Sequence, residues 1–219
     1  MEKSIIITAG GIGKRMGGTI PKQFLVINEK PILMHTLLRF FEYDPTAQII
    51  LTLPVDWHAY WDELVRKLNF KVPHLLLAGG EERFHSIQNA LKIASGKWIA
   101  VHDGVRPLVS QQTIANTFEL AKAKGTAVPV LAIHESVRYV TEKETKALNR
   151  NDYKLVQTPQ VFERSILMRA YECDFHTGIT DDASLVESSG FPIFLTEGNE
   201  ENIKITRPID LKIAAVLLT

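Results

Sequence analysis

Six short apolar runs punctuate the chain: Ser4 to Thr8, Gln48 to Leu53, His74 to Leu77, Trp98 to His102, Ala127 to Ala132 and Pro192 to Thr196. Rich in Ile, Val and Leu and lacking polar alternation, they read as strands buried on both faces. Between them lie segments of helical spacing, Pro31 to Glu42, Asp56 to Leu68, Phe84 to Ala94 and Gln111 to Lys124, several opened by Pro, Asp or Ser as first-turn or capping residues. This alternation predicts an α/β fold with a doubly wound, mostly parallel sheet and right-handed crossovers.

One stretch departs from the pattern. From Glu135 to Thr158 the alternation at Val137 and Tyr139 gives way to the charged run Thr141 to Lys146 and then to Ala147 to Val156. It reads as a hairpin arm, residues 135–158, projecting from a single domain of residues 1–219. A two-stranded ribbon is marginal alone, so the arm is expected to pack on a second copy of the chain.

The 219 residues and 45% hydrophobic content are enough for a proper core. Lysine plus arginine and aspartate plus glutamate balance at 25 each, so no global field favours nucleic acid or an anionic membrane, and an anion must be drawn by a local cluster. The start, MEKSIIITAGG, lacks the pattern of a signal peptide, and no apolar span reaches membrane length, so a soluble, cytoplasmic protein is expected. Cys173, the single cysteine, excludes an internal disulfide and reads as a packed small hydrophobe.

In such sheets ligands bind beyond the carboxyl ends of the strands. Glycine and arginine collect there: Ala9-Gly10-Gly11-Ile12-Gly13-Lys14-Arg15 after the first run, Gly79-Gly80-Glu81-Glu82-Arg83 after the third, and Asp103-Gly104-Val105-Arg106-Pro107 after the fourth. The first loop lets backbone N–H groups approach an anion, yet it lacks the third glycine of a dinucleotide fingerprint and the Ser or Thr that follows Lys in a Walker loop. Arg15 and Lys22 at its rim suggest transfer at phosphorus, where positioning and charge stabilisation supply most of the catalysis. In the second loop Arg83 and Ser86 offer donors beside a glycine pair, although the same residues suit a plain strand-to-helix turn. In the third, Asp103 and Arg106 suit Mg²⁺ or ligand hydroxyls, or a structural ion pair.

These residues, TAGGIGKRM with PKQF, GGEER, HDGVRP, TPQVF at Thr158 to Phe162, ITDDASLVE at Ile179 to Glu187 and EGNEENIKITRP from Glu197 to Pro208, resemble the 2-C-methyl-D-erythritol 4-phosphate cytidylyltransferases of the non-mevalonate isoprenoid pathway. The resemblance spans nearly the whole chain in order. It implies a Rossmann-like fold, a homodimer whose arms clasp each other, and transfer of a cytidylyl group from CTP with Mg²⁺ held mainly through the CTP phosphates.

Residue by residue, the resemblance places Arg15 and Lys22 on the transition state at the α-phosphate. Ala9, Gly10, Gly11, Ile12 and Gly13, with Gly80, Glu81, Arg83 and Ser86, form the cytidine nucleotide site. Arg150 reaches into the partner's site to hold the polyol phosphate, and Lys204 does so from its own subunit. Asp103, Arg106, Thr158 and Thr180 surround the polyol and phosphate, with Ser136 where many relatives have threonine. Read without the resemblance, Arg150 and Lys204 are ordinary surface charges, and Thr180-Asp181-Asp182 caps the following helix.

Two other readings belong to the same residues. Thr8-Ala9-Gly10-Gly11 and Gly104-Val105 also occur in the sister family that acts on ribitol 5-phosphate, whereas TDDAS and KITRP favour the methylerythritol enzymes. An NAD(P)-dependent Rossmann oxidoreductase lacks support, because no acidic residue closes the second strand in ILTLPV.

Overall fold

The computed structural model describes residues 1–11 and 20–218. Eight strands form the main sheet: β1 (Lys3–Thr8), β4 (Gln48–Leu53), β5 (Leu75–Ala78), β6 (Trp98–Asp103), β7 (Thr126–Ala132), β10 (Lys154–Val156), β11 (Gln160–Glu163) and β12 (Leu195–Glu197). Seven of them lie side by side in the order β10-β7-β11-β6-β1-β4-β5, and the eighth, β12, pairs with β7. The helices are α1 (Ile32–Tyr43), α2 (His58–Lys67), α3 (Arg83–Leu91), α4 (Gln111–Lys124), α5 (Arg164–Ala170), α6 (Asp182–Ser188) and α7 (Pro208–Leu217). Two small hairpins complete the fold: β2 (Val26–Ile27) with β3 (Lys30–Pro31), and β8 (Val137–Val140) with β9 (Thr145–Leu148).

The centre of the sheet is parallel. Ile6 of β1 stands level with Ile50 of β4 on one side and with Val101 of β6 on the other, and β5 extends the parallel set beyond β4. Successive side chains on these strands point to opposite faces, which explains the unbroken apolar runs. Ile5, Ile7, Leu51 and Leu53 pack with Leu37, Phe40, Trp61 and Phe118 of α1, α2 and α4. Ile6, Ile50, Ile99 and Val101 pack with Phe84, Ile87, Leu167 and Leu185 of α3, α5 and α6. Each such side chain contributes about 1.5–3 kcal/mol on burial, so covering both faces is what commits the runs to a central sheet.

Helix ends follow local chemistry. The Ser110 hydroxyl accepts from Thr113 N at the start of α4, and Gly125 ends that helix at φ +92°, where a side chain would be strained. Asp181 caps α6 by accepting from Ser184 N at 2.9 Å, while the Ser184 hydroxyl accepts from Asp181 N. Pro208 opens α7 within its first turn.

Two expectations need correction. The hairpin proper runs only from Val137 to Leu148, because Lys154–Val156 rejoins the main sheet antiparallel to β7. Cys173 is exposed, since it follows the end of α5 at Ala170 and lies outside the core clusters. The antiparallel strand β11, inserted between β6 and β7, is an element that apolar patterning missed. Among the described residues no helix is long and apolar enough to cross a membrane.

Candidate active site

The carboxyl ends of β1, β5 and β6 meet at one edge of the sheet, and the three loops singled out by sequence gather there. They enclose a cavity of about 340 Å³ lined by Ala9, Gly10, Gly11, Gly80, Glu81, Arg83 and Ser86, together with Lys22, Asp103 and Lys204. Seven of the expected nucleotide-site residues are therefore brought together. Ile12, Gly13 and Arg15 lie outside the described residues.

The cavity walls are built by short, specific contacts. Ser86 Oγ accepts from Gly80 N at 2.9 Å and donates to Glu82 O at 3.2 Å, so this hydroxyl shapes the second loop instead of offering a free donor. At Gly80 a methyl group would stand 2.3 Å from His85 Cβ, which is why the turn takes glycine. Pro21 precedes a single 3₁₀ turn over Lys22–Phe24. That turn sends the buried Gln23 amide back to donate to Ala9 O at 2.7 Å, so the segment carrying Lys22 is fastened to the first loop.

A second cavity, about 380 Å³, adjoins the first and shares Arg83, Asp103 and Lys204 with it. Its other walls include Arg106, Gln157, Thr158, Gln160, Thr180 and Asp181. Five of the expected acceptor-site residues, Asp103, Arg106, Thr158, Thr180 and Lys204, are thus adjacent. Ser136 and Arg150 are not with them. They line a separate hollow beside the hairpin, where Arg150 donates to the carbonyl of His134.

Asp103 is the electrostatic centre. Its carboxylate lies 3.1 Å from Arg106 Nε, 3.1 Å from Lys204 Nζ and 3.7 Å from Arg83 Nε. Burial alone would raise its pKa, but the three cations outweigh that and hold it far below the usual carboxylate range. Lys204 reaches it because Ile205, buried in a small cluster with Val105 and Ala214, donates its N–H to Val105 O at 3.0 Å. Arg106 is fixed from the far side by donating through Nη1 to Asn202 O at 2.7 Å.

His102, fully buried next to Asp103, is neutral: burial pushes its pKa down to about 4. Its Nε2 lies 3.1 Å from Arg106 O, which can only accept, so Nε2 carries the hydrogen and Nδ1 accepts from the Thr158 hydroxyl at 3.0 Å. Thr158 Oγ1 in turn accepts from Asp103 N at 3.2 Å. The hydroxyl hydrogen of Thr158 is therefore committed to His102, and only a lone pair is left for a ligand.

Several residues not assigned a site role from the sequence hold this arrangement. Gln160 donates to Asp181 Oδ2 at 2.7 Å and accepts from Ala183 N at 2.8 Å. Asn202 donates to Thr158 O at 2.8 Å. Asp182, adjacent to the cap, is fully buried and pairs with Arg83 at 2.6 Å. For Gln160 the available signal was polarity out of place, between Pro159 and the apolar pair Val161-Phe162, whereas Asn202 follows the polar run Asn199-Glu200-Glu201 and gave no such signal.

With this geometry established, comparison with known proteins is specific. Residues 4–219 match the family model described as 2-C-methyl-D-erythritol 4-phosphate cytidylyltransferase. A protein of that name from Bacteroides fragilis is 50% identical over 219 residues, covering 100% of both chains. The crystal structure of the Thermus thermophilus protein of that name superposes with a TM-score of 0.77 at 32% identity, covering 99% of this chain and 98% of that one. The bifunctional IspDF of Campylobacter jejuni superposes with a TM-score of 0.83 at 26% identity, covering 97% of this chain, which spans 54% of the bifunctional one.

Proposed function

The chain belongs to the 2-C-methyl-D-erythritol 4-phosphate cytidylyltransferase family, and on that premise we propose how its residues share the work. The reaction moves a cytidylyl group from CTP to 2-C-methyl-D-erythritol 4-phosphate, giving 4-diphosphocytidyl-2-C-methyl-D-erythritol and pyrophosphate, a step of isoprenoid biosynthesis. Ribitol 5-phosphate as acceptor and the oxidoreductase reading are not favoured, because the family model and the relatives carry the methylerythritol name.

The observation that carries our assignment of roles is the pair of adjoining cavities sharing Arg83, Asp103 and Lys204. CTP occupies the first. The backbone of Ala9, Gly10 and Gly11 faces its phosphates, and Gly80, Glu81, Arg83 and Ser86 bound the cytidine. The acceptor occupies the second, with Asp103 and Arg106 toward its hydroxyls, the Thr158 lone pair accepting from one of them, and Thr180 and Lys204 toward its phosphate. The shared wall brings that phosphate next to the α-phosphate of CTP.

No base is required. A phosphate monoester with a second pKa near 6 is mostly a dianion at pH 7. One of its oxygens bonds to the α-phosphorus while the bond to the oxygen bridging the β-phosphorus breaks, and pyrophosphate leaves in line. The obstacle is repulsion between two anions. Lys22 and Arg15 oppose it at the reacting phosphorus, and Lys204 does so at the acceptor. Mg²⁺ bound to the triphosphate would neutralise part of its charge and orient it. Asp103 is already engaged by three cations, so the ion is assigned mainly to the phosphates of CTP.

Arg150 serves the site of a partner subunit. It stands with Ser136 away from the acceptor cavity of its own chain, and Tyr139 and Val140 of the hairpin are exposed, which suits a homodimer with exchanged arms. A cytoplasmic location suits the single, exposed Cys173. Pyrophosphate release with CTP and a panel of methylerythritol, ribitol and other polyol phosphates tests the assignment. Release with methylerythritol phosphate supports it, and release with ribitol phosphate alone overturns it.

A further inference from the structure

Arg83 borders both cavities and also a third, of about 290 Å³, lined by Phe84, Tyr171, Phe175, Thr180 and Asp181 beneath the segment that leads into α6. It lies between two carboxylates. On one side Nε faces Asp103 at 3.7 Å, and on the other Nη2 donates to Asp182 Oδ2 at 2.6 Å. Asp182 is fully buried, and its second oxygen accepts from the Tyr171 hydroxyl at 2.6 Å. Tyr171 is fixed in turn by stacking on Phe84, with ring centres 4.8 Å apart and planes 26° from parallel.

This geometry has a directional consequence. Asp103 already holds Arg106 and Lys204 at hydrogen-bond distance, and Arg83 stands farther off because Asp182 holds the other end of its guanidinium. Without the Asp182 charge, the remaining carboxylate would draw Arg83 toward Asp103 and away from its present place in the wall of the first cavity. Without the Tyr171 hydroxyl, Asp182 would keep its charge but lose the donor that orients it. Asp181 makes no hydrogen bond to Arg83 or Tyr171, since its carboxylate caps α6 and receives Gln160.

We propose that Asp182, the first residue of α6, and Tyr171, the residue after α5, are positioning residues that hold Arg83 in the wall between the nucleotide and acceptor cavities, so that these two helix ends set the affinity for CTP. The inference rests on the nucleotide-site role assigned to Arg83 above.

Calorimetric titration of CTP with Mg²⁺, without acceptor, tests it in Tyr171→Phe, Asp182→Asn, Asp182→Glu and, as reference, Arg83→Ala. Tyr171→Phe keeps the stacked ring and should weaken CTP about five-fold, with kcat within about two-fold of wild type at saturating CTP. Asp182→Asn should weaken CTP by more than about ten-fold, and Asp182→Glu should bind better than Asp182→Asn. Wild-type CTP affinity in Tyr171→Phe and Asp182→Asn, while Arg83→Ala is weakened, overturns the proposal. Wild-type affinity in Arg83→Ala overturns the role of Arg83 itself. If Asp182→Asn does not fold, Tyr171→Phe decides.

Discussion

Lys204 Nζ stands 3.1 Å from Asp103 Oδ2, so the loop after β12 meets the end of the central strand β6 through an ion pair as well as through the backbone bond of Ile205 to Val105. Lys204, which we assign to the acceptor phosphate, thus pairs with a buried carboxylate that it shares with Arg106 and Arg83. Asp103→Asn leaves those three cations facing one another. The expected outcome is a loss of about 2–3 kcal/mol in chemical denaturation at pH 7. That is below the usual cost of breaking a buried pair, because Lys204 is 43% exposed and partly screened. Steady-state kinetics should show the acceptor KM raised at least about ten-fold.

His102 makes stability depend on pH in a defined window. Its folded pKa is lowered to about 4, whereas an unfolded histidine titrates near 6.5. Between those values the unfolded chain binds a proton that the folded one does not, so stability falls as pH falls through the window. From pH 6.5 to 5 this single group should account for about 2 kcal/mol of loss. Urea denaturation of wild type and His102→Asn at both pH values measures it. The variant should show a correspondingly shallower dependence, with His35 and His74, also shifted down by burial, contributing equally to both proteins.

Much of this was legible in advance because β1, β4 and β6 are buried on both faces, which leaves runs such as SIIIT and IILTL unmistakable. The loops at their carboxyl ends followed from topology alone. The return of the chain at Lys154–Val156 did not, because Leu155 and Val156 are exposed and read as part of the arm until their pairing with β7 is seen. Nor could the sequence separate Asp181 from Asp182. The two adjacent aspartates share composition and context, yet one caps a helix on the surface side and the other is buried against Arg83. Likewise Thr158 carried a motif but no hint that His102 takes its hydrogen.

The distance of Arg150 from its own acceptor cavity makes a prediction about assembly. Arg150→Ala and Lys22→Ala proteins, each weakly active alone, should recover activity when mixed and allowed to exchange subunits. One site in each hybrid dimer pairs an intact Lys22 with the partner subunit's intact Arg150, so about a quarter of wild-type activity is expected from random exchange. Titration of one variant into the other at constant total protein, read as pyrophosphate release, checks it. Flat activity across the titration would mean that Arg150 does not act across the dimer.

The central claim is that Lys22, fastened beside the first loop through Gln23 and Ala9, acts on the reacting phosphorus more than on bound CTP. Parallel measurement of CTP affinity by titration and of turnover at saturating substrates in Lys22→Ala tests it most directly. The account predicts a fall in kcat of at least about 100-fold with CTP affinity within about three-fold of wild type. Unchanged kcat, or a loss confined to CTP affinity, would contradict it.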